Sequence, residues 1–152
     1  MAKNIGVLSD THGLLREEVK SRLHGCDMIL HAGDIGSPSV LTELRQIAEV
    51  VAVRGNVDTG PWAKELREEQ YVDVDGHRIC VVHDIRTLSL DPASAGIDVV
   101  LYGHSHKPAV EWKSGILYLN PGSAGPKRFR LPVSMAMLHV GTDGAIPEVI
   151  EL

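Results

Sequence analysis

The chain is built from short apolar runs, each of which stops abruptly at glycine and polar residues. The first run covers residues 5–8 and predicts a strand that is buried on both faces. It is followed at once by the segment SDTHG at 9–13, which places a carboxylate and an imidazole two residues apart. Side chains that follow a strand in an open α/β sheet point into the region where ligands bind. Asp10 and His12 are therefore the first candidate site residues.

The pattern over the first 58 residues predicts alternating strands and helices. Apolar residues at helical spacing predict a helix over 14–24, and a buried strand follows at 27–31. Ser37 and Pro38 are typical of a helix start, as the N-cap and first helical residue. Another strand is predicted at 49–53. Strand, helix, strand, helix, strand in this order predicts parallel pairing with right-handed crossovers.

The second half of the chain is dominated by turn sequences between short apolar segments. Asp75-Gly76 is typical of a two-residue hairpin turn, and Ser114-Gly115 and the segment 142–144 predict two further hairpins. Residues 86–96 are predicted to be irregular or briefly helical, ahead of a strand at 98–102. We therefore expect mainly antiparallel pairing here. The predicted fold class is α/β, with two packed mixed sheets and outer helices in one domain, 1–152. The predicted hairpin strands are 70–74, 78–82, 109–112, 116–119, 133–140 and 145–150.

Composition narrows the functional classes. The 152 residues carry a formal net charge of −5, which argues against a surface that holds nucleic acid tightly. Neither a signal peptide nor an apolar run of about 20 residues is recognised, so we expect no membrane partner and a cytoplasmic location. Cys26 and Cys80 lie in apolar surroundings and are expected to be free buried thiols.

Potential metal ligands follow five of the apolar runs. Taken singly each has an ordinary explanation: Gly-Asp and Gly-Asn pairs are common in turns, and a lone histidine after a strand is usually a hydrogen-bonded core residue. The recurrence at successive strand ends is what predicts a shared site. The residues concerned are Asp10, His12, Asp34, Asn56, His83, His104 and His106.

These residue types favour a pair of divalent cations. Imidazole nitrogen with carboxylate oxygen suits zinc, iron and manganese better than magnesium or calcium. No thiolate is included, which argues against a closed structural zinc site. A carboxylate can bridge two cations, and Asp34 is the natural bridge. Two cations roughly 3.5–4 Å apart can activate a shared water and clamp phosphoryl oxygens, so a phosphate ester is the expected substrate.

Five short motifs of the chain resemble those of the calcineurin-like metallophosphoesterases. They are DTH at 10–12, GD at 33–34, GNVD at 55–58, His83 and GHSH at 103–106. Together with LNPGS at 119–123, they are most similar to the small bacterial and archaeal phosphodiesterase branch, which also contains the retromer-subunit relatives. The resemblance implies a four-layer α/β/β/α sandwich. It also implies a hydroxide between two metals as nucleophile, with manganese, iron, zinc or nickel as the metal. It assigns one metal to Asp10, His12, Asp34 and His106, and the other to Asp34, Asn56, His83 and His104, with Asn56 also touching the phosphate.

Two departures from that family affect the expected chemistry. Val57 stands where many members have a histidine that acts as general acid, and Asp84 and Ile85 stand where many have Gly-His. Asp58 is a candidate replacement acid, with loop orientation as the alternative. The missing acid favours activated diesters, because good leaving groups need little protonation.

Two functions are therefore open at the level of sequence. The first is a metal-dependent phosphoesterase, with phosphodiesters as the favoured substrates. The second is a weakly active or inactive metal-binding interaction scaffold of the same fold, which an exposed apolar patch away from the metals would favour. A homodimer or higher homo-oligomer is expected only by analogy. The basic segment 127–130 is interpreted as a solvated charge run, with contact to an anionic substrate or another subunit as alternatives.

Overall fold

The structure, a computed structural model, describes residues 2–152 and contains two five-stranded sheets. The first has the strand order β10-β9-β1-β2-β3 and the second the order β4-β5-β6-β8-β7. The strands are β1 (Lys3–Leu8), β2 (Met28–His31), β3 (Glu49–Ala52), β4 (Glu69–Val74), β5 (His77–Val82), β6 (Val99–Leu101), β7 (Ala109–Lys113), β8 (Ile116–Asn120), β9 (Ser134–Gly141) and β10 (Gly144–Glu151).

The parallel pairing predicted for the first three strands is confirmed, while β9 and β10 complete the first sheet in antiparallel pairing. β1 pairs with β2 and β2 with β3, all parallel, through the helices α1 (Glu17–Leu23) and α2 (Pro38–Arg45). The first helix begins three residues later than the sequence predicts. Residues 14–16 are not helical, because Leu14 belongs to a tight turn in which its N–H donates to the Thr11 carbonyl at 2.9 Å.

The predicted start of α2 is confirmed by its hydrogen bonding. The Ser37 hydroxyl oxygen accepts from the Ser39 N–H at 3.2 Å, and Pro38 is the first helical residue. Ser37→Ala should therefore lower the free energy of unfolding by about 1 kcal/mol, because a donor at the helix start loses its partner. Chemical denaturation measures this. Ser37→Asn, which keeps an acceptor, should stay close to the parent, and equal losses in both variants would contradict the capping role.

The second sheet mixes the two pairing directions. The central strands β5, β6 and β8 are parallel neighbours, while β4 and β7 pair antiparallel at the edges. The hairpins predicted at Asp75-Gly76 and Ser114-Gly115 are confirmed, and both Asp75 and Ser114 adopt a left-handed backbone. Antiparallel pairing therefore flanks a parallel centre, and the carboxyl ends of β5 and β6 lie at one edge.

Three apolar clusters define the layers. The first lies between the sheets and includes Ile5, Leu30 and Leu119. The second packs α1 and α2 onto the outer face of the first sheet. The third covers the outer face of the second sheet with the segment 85–97, which contains one 3₁₀ turn (Ile85–Thr87) in place of a long helix. The α/β sandwich of two mixed sheets is confirmed. Within residues 2–152, none of the helices has the length and hydropathy that a bilayer crossing requires.

Candidate metal centre

The turns that follow the strands are joined directly to one another by backbone hydrogen bonds. Beyond β1, the Asp10 N–H donates to the Gly33 carbonyl at 3.0 Å and the His12 N–H to the Asp34 carbonyl at 2.9 Å. In the second sheet the Gly103 N–H donates to the His83 carbonyl at 2.9 Å. The His104 N–H donates to Asp10 Oδ2 at 3.1 Å and joins the turns of the two sheets. The turns that carry the candidate ligands therefore meet at the carboxyl ends of the parallel strands, where the sequence predicts them.

One group of ligand atoms surrounds Asp10. Its Oδ1 lies 3.4 Å from His106 Nε2 and 3.7 Å from His12 Nε2. The imidazole rings of His12 and His106 are 5.3 Å apart between centroids. These three residues form a set whose ligand atoms lie close enough to share one metal ion.

A second group adjoins the first and includes both carboxylates. His83 Nε2 lies 3.2 Å from Asp34 Oδ2 and 4.0 Å from Asp10 Oδ1. Asp34 Oδ2 also lies 3.7 Å from His12 Nε2, so this oxygen sits between histidines of the two groups. His104 joins on the outer side, with its Nδ1 3.3 Å from His83 Nε2.

Unpaired polar atoms in the centre show that its donor set fits divalent cations. Asp10 Oδ1, His12 Nε2 and His106 Nδ1 are buried without a hydrogen-bond partner. Burial raises the pKa of Asp10, against hydrogen bonding from Ser9 and the nearby imidazoles, because the low-dielectric surroundings disfavour its charge. Buried polar atoms are normally paired, and leaving one unpaired costs about 1–3 kcal/mol. Bound cations would satisfy the Asp10 and His12 atoms, which converge on the centre.

Backbone strain is concentrated at the same place. Five of the seven proposed ligands have a left-handed backbone, with φ between 47° and 74°. Non-glycine residues in this region carry strain of order 1–3 kcal/mol, which the surrounding structure must hold in place. The five are Asp10 (φ 56°), His12 (φ 47°), Asp34 (φ 55°), His104 (φ 74°) and His106 (φ 63°).

Close backbone contact leaves no room for a side chain at Gly103. A Cβ there would overlap Ser9 Oγ and approach Asp10 Oδ2 to 2.7 Å. The Ser9 hydroxyl itself donates to Asp10 Oδ2 at 2.6 Å, and the His104 N–H donates to the same oxygen at 3.1 Å. One Asp10 oxygen is thereby fixed, and the other is left facing the histidines.

Several buried polar residues outside the predicted ligand set hold the turns of the candidate ligands in place. Ser123 donates its hydroxyl to the Asp10 carbonyl at 2.9 Å. The Asn120 amide donates to the Gly103 carbonyl at 3.3 Å. In the sequence both flank a Pro-Gly pair, which by itself predicts only a turn. The available signal was a polar side chain directly after a strand, the same signal that identified Asp10.

His31 is buried, and it supports the turn beyond β2. Its Nδ1 accepts from the Gly33 N–H at 3.1 Å, so its Nε2 carries the hydrogen and donates to Thr11 Oγ1 at 3.0 Å. Desolvation lowers the pKa of His31 to about 3, so the ring is neutral. The Thr11 hydroxyl passes the network on to the Ile35 carbonyl at 2.9 Å.

Asp58 is occupied by backbone amides. Its carboxylate accepts from the N–H groups of Ile35 (3.1 Å), Gly36 (2.9 Å) and Gly55 (2.9 Å). This pattern favours loop orientation over acid catalysis, because these bonds fix the carboxylate on the backbone of the Asp34 and Asn56 turns.

Asn56 lies on the exposed rim of the centre. It lines a cavity of about 430 Å³ together with His83, His104 and Arg86. The neighbouring Val57 is also exposed, and its N–H donates to Asp34 Oδ1 at 3.0 Å. The structure therefore brings six of the predicted residues into direct mutual contact and places Asn56 beside them, at the cavity wall.

The basic segment 127–130 lies near the ligand group of Asp10, His12 and His106. Residues 127–130 are exposed, with Phe129 94% accessible. The segment follows Gly125, whose backbone is packed against the carbonyl groups of Asp10 and Thr11. Burial, and after it the charge of Arg128, lowers the pKa of His106.

Comparisons with known proteins identify the family. The model of the calcineurin-like phosphoesterase superfamily domain matches residues 4–143. A probable metallophosphoesterase of Methanothermobacter thermautotrophicus is 32% identical over 96% of this chain and 91% of its own. A phosphodiesterase of Methanocaldococcus jannaschii is 30% identical over 78% of this chain and 82% of its own.

A solved structure shows the same fold. Vacuolar protein sorting 29 of Cryptosporidium parvum superposes with a TM-score of 0.85 at 21% identity, over 99% of this chain and 92% of that one. The family model covers almost the whole chain, and the predicted resemblance is confirmed. The chain belongs to the calcineurin-like phosphoesterase superfamily.

Proposed function

We propose that the chain is a phosphodiesterase that works with two divalent cations. One cation is assigned to Asp10, His12, Asp34 and His106, and the other to Asp34, Asn56, His83 and His104. The observation that carries the proposal is the convergence of buried carboxylate and imidazole atoms, some without any partner, on one point. Asp34 Oδ2 lies between His12 and His83, which supports a bridging role.

The protein's own contribution is positioning. When bound, the cations would supply the nucleophile by lowering the pKa of the water between them, and would neutralise phosphoryl oxygens. Ser9 and the His104 N–H hold one Asp10 oxygen, so the other is directed at the cations. The Ala32 carbonyl accepts from His83 Nδ1 at 2.8 Å, which leaves the Nε2 lone pair facing the centre. Asn56, at the cavity wall, is placed to contact the phosphate.

Manganese is the proposed metal, with iron, zinc or nickel as replacements. The donor atoms are nitrogen and oxygen, a set that suits these ions. Cys26 and Cys80 are free as predicted, although only Cys80 is fully buried and Cys26 is partly exposed, and neither belongs to the ligand groups. A cytoplasmic location and a single domain over 1–152 stay predictions from the sequence.

Diesters are the proposed substrate class, supported by the name of the M. jannaschii relative. The position of Val57, exposed at 48%, offers no proton to a departing alkoxide. Asp58 is held by three backbone amides. Substrates whose leaving group is already a stable anion should therefore react fastest.

The alternative function, a protein-interaction scaffold, is supported by one feature. Trp112 and Ile146 are exposed at 56% and 68% and line a cavity of about 590 Å³. Asp98, which precedes β6, lines the same cavity, which therefore lies at the opposite ends of the strands from the metal centre. Homo-oligomer formation through such a surface is part of this alternative.

The proposal predicts metal-dependent hydrolysis of bis(p-nitrophenyl) phosphate. Chelated protein should be inactive, and added Mn²⁺ should restore turnover with two ions bound per chain by elemental analysis. His83→Ala should stay inactive at the same Mn²⁺ concentration, because its Nε2 is removed from the second ligand group. Equal rates in chelated, Mn²⁺-loaded and variant protein would overturn the proposal and favour the scaffold.

A further inference from the structure

An ion pair stands at the outer edge of the metal centre, directly after His83. Arg86 donates from Nε to Asp84 Oδ1 at 3.0 Å and from Nη2 to Asp84 Oδ2 at 2.7 Å. The Arg86 N–H also donates to Asp84 Oδ1 at 3.0 Å, at the start of the 3₁₀ turn. Asp84 is one of the positions where this chain departs from the family pattern. Its carboxylate is thus fixed in place by neighbours.

His104 links this pair to the centre. Its Nδ1 lies 3.3 Å from His83 Nε2, and its Nε2 lies 3.4 Å from Arg86 Nη2 and 3.9 Å from Asp84 Oδ2. A guanidinium can only donate, so His104 Nε2 is the acceptor and Nδ1 carries the hydrogen. That hydrogen is directed at His83 Nε2, which is free to accept because His83 Nδ1 donates to the Ala32 carbonyl.

A cation at His104 requires the lone pair of Nδ1, because imidazole binds metal through an unprotonated nitrogen. The ring hydrogen then resides on Nε2, which can no longer accept from Arg86. The acceptor nearest to that nitrogen is the Asp84 carboxylate. Carboxylates that accept from the second nitrogen of a ligating histidine fix its tautomer and strengthen its binding.

Arg86 is left with donors that face a cavity. It lines the cavity of about 430 Å³ that Asn56 and His104 also line. Asp84 engages only its Nε and Nη2, and among residues 2–152 its Nη1 group has no hydrogen-bond partner. A guanidinium held along one edge by a carboxylate is suited to bind a phosphate oxygen with the other.

We propose that Asp84 is a positioning residue for the metal ligand His104, and that Arg86 binds a non-bridging oxygen or a further anionic group of the phosphate ester in the adjoining cavity. This inference rests on the proposed function. It divides the ion pair into two roles that can be measured separately, one toward the cation and one toward the substrate.

The experiment measures Mn²⁺ binding to metal-stripped protein by titration calorimetry, alongside kcat and KM for bis(p-nitrophenyl) phosphate at saturating Mn²⁺. Asp84→Asn should weaken the second Mn²⁺ about 10–100-fold. Arg86→Gln should weaken Mn²⁺ binding less than Asp84→Asn does, because the backbone N–H of residue 86 still holds the Asp84 carboxylate. It should also raise KM about tenfold, the loss of one charge-assisted hydrogen bond. Asp84→Glu, which keeps the carboxylate, should recover part of the Mn²⁺ affinity.

The matched control is Asp73→Asn. Asp73 is more exposed than Asp84 and pairs with Arg78 at 3.1 Å on the β4–β5 hairpin, outside the ligand groups, so its loss should change neither quantity. Parental Mn²⁺ affinity in Asp84→Asn overturns the positioning role, and an unchanged KM in Arg86→Gln overturns the substrate role. A parent chain that binds no Mn²⁺ overturns the proposed function together with the inference, so the two failures are distinguishable.

Discussion

Asp10→Asn is expected to abolish phosphodiester hydrolysis while raising the melting temperature of the metal-free protein. The activity loss follows from removing a carboxylate that is close to His12, His83 and His106. Electrostatic stabilisation by bound metal amounts to several kcal/mol, so kcat/KM should fall about a thousandfold.

The stability gain has a separate cause. The side-chain oxygen of the substituted amide can still accept from the Ser9 hydroxyl and the His104 N–H. The amide nitrogen can donate to His106 Nε2, which in the parent lies 3.4 Å from the unpartnered Asp10 Oδ1. The substitution therefore removes the buried charge and gives the unpartnered position a hydrogen bond. We expect a gain of about 1–2 kcal/mol, which corresponds to a rise of roughly 2–8 °C.

Calorimetry of chelated parent and variant proteins measures this gain. Addition of Mn²⁺ should stabilise the parent alone, because a ligand stabilises the folded state only where it binds. A metal-free variant less stable than the parent would contradict the interpretation of Asp10 as a strained, unsatisfied group.

Gly55→Ala is expected to be strongly destabilising, although it adds only a methyl group. A Cβ at this position would overlap the Asp34 N and Oδ1 atoms and lie 2.8 Å from its Cγ. Asp34 cannot retreat easily, because its Oδ1 also accepts from the Val57 N–H. Overpacking of this kind costs about 3 kcal/mol, or roughly 6–12 °C in melting temperature. Mn²⁺ binding should weaken as well, because Asp34 is displaced.

Gly141→Ala is the matched control for this substitution. Its Cβ would meet only Ala2, at an ordinary contact distance of 3.8 Å, and the backbone does not require glycine. Its melting temperature should remain within about 2 °C of the parent. If Gly55→Ala has the same melting temperature as Gly141→Ala, the Asp34 turn can move to make room for the methyl group, and the interpretation of a rigid close contact is wrong.

The sequence predicts the position of the site better than its internal geometry. Asp10 and Asp34 could be located because short apolar strands end just before them, and parallel strands place those ends together. The hydrogen bond from Ser123 to the Asp10 turn joins residues that are 113 positions apart in the chain. The bond from Arg86 to His104 joins residues 18 positions apart. Local sequence pattern contains no information on such pairs.

Element boundaries failed where tertiary contacts overrode local preference. Residues 14–16 have helical spacing, yet they belong to the turn that begins at Thr11, and α1 begins only at Glu17.

The segment 85–97, which covers the outer face of the second sheet, agrees with the prediction of an irregular or briefly helical segment at 86–96. Ile85, Leu88 and Leu90 pack there from a segment whose only helical element is a single 3₁₀ turn.

The left-handed turns also restrict how this site can change over evolutionary time. Aspartate, asparagine and histidine tolerate that conformation better than most residues, and glycine adopts it freely. A substitution by valine or isoleucine at any of the five left-handed positions would strain the turn as well as remove a ligand. These positions are Asp10, His12, Asp34, His104 and His106. A lineage that gives up turnover and keeps the scaffold should therefore accumulate asparagine or glycine at these five positions, and only rarely a branched aliphatic residue.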